Sequence, residues 1–450
     1  MNMKKYIKKV ITIMVAMTLF LTGIVFSFAS TNKTSIPKVS GTSVIMIDSL
    51  SGKVLYKKNA TERRDPASIT KILTCLVVLE NLKLDQKVTV TENSSQIGCN
   101  INMKKGEVLT VRQLLYALML PSANDAARVL AIATAGDIDS FCDMMNAKAK
   151  ECGATRTHFT NPNGLNLAGQ ENHKTTAEDL AKITSVALQN TTFRKLVTAK
   201  RYTIPATNKS KERKLKTTDA LLISKKKIEV KGKKIPLKYE YATGVKTGTT
   251  SVAGNCFVGS AKKGNTELIV VTLNSGDKTR FTDAIQLFDY GFANYKTKIV
   301  AKKYSEQDKL KVKRGKTGSV AIGPAKTLAV TLAKGEDGKA INKKLNVQVD
   351  MADSITAPVK KGQVVGTVKL LNSQGKLVKK TDAVALAAVG EGGILSHIGI
   401  PDDMVPLFVV AVITLLLIAL VAFFLYRERQ KRLTRKAKYA KKSEEENTDE

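Results

Sequence analysis

Pro66-Ala67-Ser68-Ile69-Thr70-Lys71-Ile72-Leu73-Thr74 (PASITKILT, residues 66–74) puts a serine and a lysine three positions apart at the opening of an apolar helical pattern. On a helix, positions i and i+3 share a face, so the Ser68 hydroxyl and the Lys71 amine can meet. Close to a helix N-terminus the backbone N–H groups and the dipole favour a developing negative charge on Ser68. Those features, with burial, disfavour a charged lysine and lower its pKa, so that a neutral Lys71 could take the serine proton. The spacing alone is common, because Ser-x-x-Lys recurs at Ser35, Ser224, Ser260, Ser275 and Ser373. An ordinary polar turn on a helix whose Ile72, Leu76 and Leu79 face a core is the competing reading. Partners elsewhere in the chain have to decide.

The ends of the chain bound where such chemistry would take place. A basic start, MNMKKYIKK, runs into apolar VITIMVAMTLFLTGIVFSFA, with Ser27 and Ala29 at the two positions a signal peptidase reads. Residues 1–29 are expected to be a signal peptide, the alternative being an uncleaved anchor. Pro406 to Tyr426, PLFVVAVITLLLIALVAFFLY, carries no charge, and at 1.5 Å per residue it spans a bilayer of ~30 Å. The basic run RERQKRLTRKAKYAKK follows at once. The positive-inside rule therefore predicts a transmembrane helix over 405–426, a cytoplasmic tail over 427–450, and everything between the two apolar runs outside the membrane.

A net charge of +34, from 73 Lys+Arg against 39 Asp+Glu, would ordinarily raise nucleic acid as a partner. The exported location, the even dispersal of the basic residues and the absence of Trp argue against it. Attraction to anionic envelope polymers, or a plainly solvated lysine-rich surface, accounts for the charge better. The five cysteines include Cys75 within a core-like helix pattern, and a Cys142–Cys152 disulfide is a pairing left open. His158, His173 and His397 are too scattered for a zinc site. A serine enzyme built on this chain would take its base from another residue type.

Residues 43–57 alternate around a turn at 49–52 and predict a β-hairpin. Helices are predicted over about 67–82, capped by Asp65 with Pro66 at the first position, from the Thr110 capping box to Pro121, and over 124–136. Another starts at the capping box Thr175-Thr176-Ala177-Glu178. Strands are expected over 241–247, 255–261 and 267–273, and a last helix over 283–290. Strands at both ends with helices between predict an α/β (α+β) fold with an antiparallel sheet and a helical cluster over 30–296. Short β-type segments then dominate, predicting a small all-β domain over 297–395.

Two motifs supply partners for Ser68. Ser122-Ala123-Asn124 lies between Pro121, which stops one helix, and Asp125, which starts the next, so the loop can aim a hydroxyl and an amide into a cleft. Lys246-Thr247-Gly248 lies in a strand-like run and offers a charge, a hydroxyl and a place where a substrate backbone can approach. A second such triplet, Lys316-Thr317-Gly318, falls in the small β domain and reads as a surface turn.

Ser-x-x-Lys, Ser-x-Asn and Lys-Thr-Gly, in that order on helix, loop and strand, form the signature of active-site-serine penicillin-recognising enzymes. The chain resembles the D-alanyl-D-alanine carboxypeptidase family of low-molecular-weight penicillin-binding proteins. DPASITK, LMLPSANDAA, HFTNPNGL, GVKTGTT, RFTDAIQLFDYGF and APVKKGQVVG all resemble family segments, and the likeness covers residues 40 to 390. The resemblance implies Ser68 as acylated nucleophile, Lys71 as general base and Ser122 as proton relay to the leaving group. It implies Asn124 holding the substrate amide and orienting Lys71, with Lys246, Thr247 and Arg280 around the terminal carboxylate, and Gly248 among the substrate-binding residues. The backbone N–H groups of Ser68 and Thr249 would form the oxyanion hole. Thr249 stands where some members have histidine, and a full membrane span stands where members often end in an amphipathic surface helix.

The implied reaction is serine-type removal of the terminal D-alanine from peptidoglycan stem peptides through an acyl-enzyme, without metal or cofactor, with β-lactams acylating the same serine. A β-lactamase on the same fold would call for a Glu-x-x-Leu-Asn segment after the Ser-x-Asn loop, and no convincing one occurs. Transpeptidase or endopeptidase activity at the same site, and a non-catalytic wall-binding protein, are the other readings. The last would be signalled by loss of a motif residue, and none is lost.

Overall fold

SVIMID and TELIVVTLNS each carry an unbroken apolar run, Val44–Ile47 and Leu268–Val271, and are buried at nearly every position, which suits strands covered on both faces. In the computed structural model, which describes residues 35–92, 95–230, 232–335 and 344–446, they lie side by side in a five-stranded sheet. Residues 1–29, expected to be a signal peptide, lie outside the described residues. The strands are β1 (Ser43–Asp48), β2 (Val54–Lys58), β3 (Ala242–Thr250), β4 (Gly254–Lys263) and β5 (Thr266–Ser275), all antiparallel in the order β2-β1-β5-β4-β3. Every residue of β1 is buried, so the alternation expected over 43–57 does not separate core from solvent. It separates two cores.

Ile45, Ile47, Ile269 and Val271 face a helical layer made of α1 (Lys71–Asn81), α2 (Val111–Met119), α3 (Asn124–Ala135), α4 (Ile138–Glu151), α5 (Ala177–Ala187) and α6 (Thr191–Thr198). Val44, Met46, Leu268 and Val270 face the other way, against α7 (Thr279–Asn294). The period-2 geometry of a strand delivers alternate residues to the two layers.

Several local expectations are corrected. Asp65 does not cap the first helix; its carboxylate accepts from Lys174 Nζ at 2.6 Å and Asn166 Nδ2 at 2.8 Å. The cap of α5 is Thr176, whose side chain accepts from Asp179 N–H, one residue later than the box suggested. The Cys142–Cys152 disulfide is absent, and both thiols are free. Cys142 lies within α4 and Cys152 caps its end, so ten residues of helix hold them ~15 Å apart. The Thr110 capping box forms on both sides as expected.

Past α7 the chain enters β6 (Tyr295–Ala301) directly. It continues through β7 (Asp308–Lys313), β8 (Ser319–Pro324), β9 (Leu328–Ala333), β10 (Leu345–Met351), β11 (Ser354–Thr356), β12 (Val364–Asn372) and β13 (Leu377–Ala385). β6 pairs with β9, and the other six form a sheet in the order β10-β12-β13-β8-β7-β11, around a core that includes Leu310, Ile322, Leu328 and Val368. This unit is tied to the β1–β2 turn: Thr297 Oγ1 donates to Asp48, Lys53 Nζ to Thr331 O at 3.2 Å, and Lys379 Nζ to Leu50 O at 2.9 Å. The last helix, α8 (Val405–Glu446), contains, among the described residues, the one stretch long and apolar enough to cross a membrane.

Candidate active site

The site begins with a strained turn. Ala67–Thr70 form a 3-10 turn and the α-helix proper starts at Lys71. Ala67 sits at φ +50°, a region an L-residue occupies only when its surroundings hold it there. Thr70 Oγ1 donates to Ala67 O at 2.9 Å and accepts from His173 Nε2 at 3.0 Å. His173 Nδ1 accepts the Thr160 N–H at 3.0 Å, which leaves the imidazole proton on Nε2. Burial pushes this histidine down to about 3, so the ring is neutral. Gly164 completes the support, since a Cβ there would lie 1.9 Å from Ala67 O.

Lys71 has no solvent exposure, and its Nζ lies 2.8 Å from Ser68 Oγ, 2.7 Å from Asn124 Oδ1 and 2.7 Å from Asn163 O. Burial, and after it the charge of Lys246, hold the Lys71 amine well below the usual lysine range. The Asn124 amide is oriented by Nδ2 donating to Ile97 O at 2.6 Å, which turns Oδ1 towards Lys71. The Asn163 carbonyl is presented by a tight turn in which Asn161 Oδ1 accepts from Gly164 N–H at 2.7 Å.

Ser122 precedes α3 with φ +68°, and its buried Oγ has no hydrogen-bond partner among the described residues. The loop facing it is fastened by Asp125, whose carboxylate accepts from the N–H groups of Ile101 at 3.1 Å and Met103 at 3.3 Å.

Strand β3 forms the opposite wall. Gly248 allows it to reach the Ser68 turn, because a Cβ there would lie 2.9 Å from Ser68 N. Lys246 is buried, and its Nζ donates to Thr247 O at 3.1 Å. Burial brings its pKa down to about 7, opposed by Asp219 and assisted by Arg280. Asp219, also buried, is pushed up to about 7 by desolvation; its Oδ1 caps a short helix at Leu221 N–H, and its Oδ2 has no hydrogen-bond partner among the described residues. Thr247 Oγ1 lies 2.6 Å from Thr218 Oγ1. Arg280, in the first turn of α7, donates to Thr249 Oγ1 at 2.9 Å and Asn255 Oδ1 at 3.1 Å. Three segments far apart in sequence therefore converge on one cleft, with Lys71 at the Ser68 hydroxyl and a second desolvated lysine, Lys246, near enough for its charge to act on Lys71.

Lys316-Thr317-Gly318 lies elsewhere, in an exposed turn of the β unit where Asp403 N–H donates to Lys316 O.

Residues 30–277 match the family model for D-alanyl-D-alanine carboxypeptidase, and residues 295–391 match that for the C-terminal domain of penicillin-binding protein 5. The chain belongs to the D-alanyl-D-alanine carboxypeptidase family. It is 32% identical over 363 residues to D-alanyl-D-alanine carboxypeptidase DacF of Bacillus subtilis, covering 79% of this chain and 87% of that one. It is 30% identical over 387 residues to DacC of Escherichia coli, covering 83% and 90%. Penicillin-binding protein 5 of Haemophilus influenzae superposes with a TM-score of 0.57 at 26% identity, covering 80% of this chain and all of that structure.

Within this carboxypeptidase-family cleft, Asn163, His173, Thr218 and Asp219 take part without having been assigned to the site from the sequence. Asn163 acts through its backbone carbonyl, and His173 through a threonine 103 residues away in sequence. Asp219 carried a local signal, as a helix-capping Asp ahead of Ala-Leu-Leu.

Proposed function

We propose that this serine-type D-Ala-D-Ala carboxypeptidase works through Ser68 as the acylated nucleophile and Lys71, uncharged, as its base. The observation that carries the assignment is the 2.8 Å contact between Ser68 Oγ and a lysine amine with no solvent exposure. An unprotonated Lys71 takes the Oγ proton as Oγ attacks the carbonyl carbon of the penultimate D-Ala. The Ser68 and Thr249 N–H groups receive the oxyanion, and Ser122 passes a proton to the departing D-Ala amine. Water then repeats the sequence on the ester and restores Ser68.

Selectivity for a free C-terminus follows from the β3 wall. Lys246, Thr247 and Arg280 present a positive charge, a hydroxyl and a guanidinium to a carboxylate lying along the strand, and Asn124 takes the peptide amide. A β-lactam carries an equivalent carboxylate and acylates the same serine. Membrane attachment through α8, with the catalytic unit outside and the basic tail in the cytoplasm, completes the reading.

The test uses the full chain in neutral detergent with a short peptide ending in D-Ala-D-Ala. Wild type releases free D-Ala and is labelled by a fluorescent penicillin; Ser68→Ala loses both, with release falling on the order of 10⁴-fold or more. Residual D-Ala release from that variant would remove Ser68 from the mechanism.

A further inference from the structure

Where the β unit meets the catalytic unit there is a cleft of ≈ 380 Å³, lined by the β1–β2 turn, the end of α5, α6 and the β9 and β13 strands. Five cations border it: Arg194, Lys303, Lys326, Lys379 and Lys380. The only one with an acidic partner is Arg194, which pairs with Glu267; among the described residues the four lysines form no ion pair.

An ordinary lysine-rich surface spreads its charges into water, where they are screened. Here one charge is drawn partly out of water beside the others. Lys379 is half-buried, and its Nζ is held against the Leu50 and Ser51 carbonyls at 2.9 and 3.1 Å. Burial lowers its pKa, Asp48 opposes this, and the Lys326 charge lowers it further. Lys303, Lys326 and Lys380 remain exposed. The junction thus holds like charges together with too little acid to balance them, around a cavity with room for a ligand.

We propose that the cleft binds a linear phosphate-bearing polyanion, such as an envelope polymer with repeating phosphodiesters. Four lysines drawn from three separate segments around one cavity suit successive single charges better than one compact anion. The hydroxyls of Thr327 and Thr381 line the same space, and the Ser185 hydroxyl there donates to Ser49 O at 2.8 Å. The cleft is separate from the Ser68 site, so occupancy would tether the enzyme along the polymer without blocking the reaction.

The experiment uses the full chain in neutral detergent and an end-labelled linear inorganic polyphosphate, with binding read by fluorescence anisotropy. Lys326→Glu combined with Lys380→Glu is compared with Lys225→Glu combined with Lys226→Glu, which reverses two exposed charges outside the cleft. Fluorescent penicillin labelling of each variant verifies that the catalytic unit is folded. The cleft variant is expected to lose at least about tenfold in affinity, with a shallower salt dependence, and the control to change less than about twofold. Equal losses in both variants would reduce the effect to net charge and overturn the proposal, as would no binding by wild type. Displacement by inorganic phosphate at matched phosphate concentration would assign the cleft to a single anion instead of a polymer, and would overturn it too.

Discussion

The chain contains Lys-Thr-Gly twice, and the two copies share nothing but their letters. In Lys246-Thr247-Gly248 the lysine is 1% exposed, surrounded by β3 and the helical layer, with an amine whose pKa is about 7. In Lys316-Thr317-Gly318 the lysine and threonine are exposed, and Thr317 Oγ1 merely donates to the nearby Ser319 O at 3.1 Å. The first glycine lies against the backbone of Ser68; the second lies against the ring of Pro401. A motif acquires chemistry from what desolvates it. Outside that setting the same triplet is a turn.

Matched substitutions should break this equivalence most plainly at the lysines. Lys246→Ala is expected to lower kcat/KM for D-Ala release on the order of 10³-fold, since a desolvated charge opposite the substrate carboxylate is lost. Lys316→Ala should leave the rate unchanged; a comparable loss there would show that the second triplet takes part. At the glycines the contrast should be smaller. Gly248→Ala pushes β3 off the Ser68 turn and should reduce kcat/KM by roughly 10²-fold, whereas Gly318→Ala, whose Cβ would meet only the Pro401 ring, should leave kcat/KM unchanged.

The pH profile sharpens the same contrast. Activity should rise with pH as Lys71 loses its proton and fall above about pH 7 as Lys246 loses the charge that holds the carboxylate. Asp219 supports the Lys246 charge, so Asp219→Asn, which retains a capping side chain, should move the falling limb to lower pH. A falling limb that stays in place in that variant would exclude Lys246 as its source.

Much of this arrangement was legible in the sequence because it is written in residue types. A serine and lysine at helical spacing, a proline-stopped loop with Ser and Asn, and a strand with Lys-Thr-Gly each state a local geometry. The order of elements likewise pointed to helices packed on an antiparallel sheet. What could not be read depends on contacts between distant segments. Asp65 has the right type and place for a cap, yet Lys174, 109 residues on, claims its carboxylate. His173 looked stray because its partner Thr70 lies in another motif. The third acceptor on Lys71 is a backbone carbonyl, which no residue type announces. Helix α4, IDSFCDMMNAKAKE, was missed because its buried face rests on only Phe141, Cys142, Met145 and Ala149 within a polar run.

The three neighbours of Lys71 Nζ have a consequence for the direction of proton flow. Two of them, Asn124 Oδ1 and Asn163 O, are acceptors with no hydrogen to offer. When the amine is uncharged its lone pair faces repulsion at both of those positions and finds a hydrogen at the third, on Ser68. The two asparagines thus steer the basic electron pair by exclusion. A lysine side chain with several flexible bonds is left with one orientation for that electron pair, and it points at Ser68 Oγ before any substrate arrives.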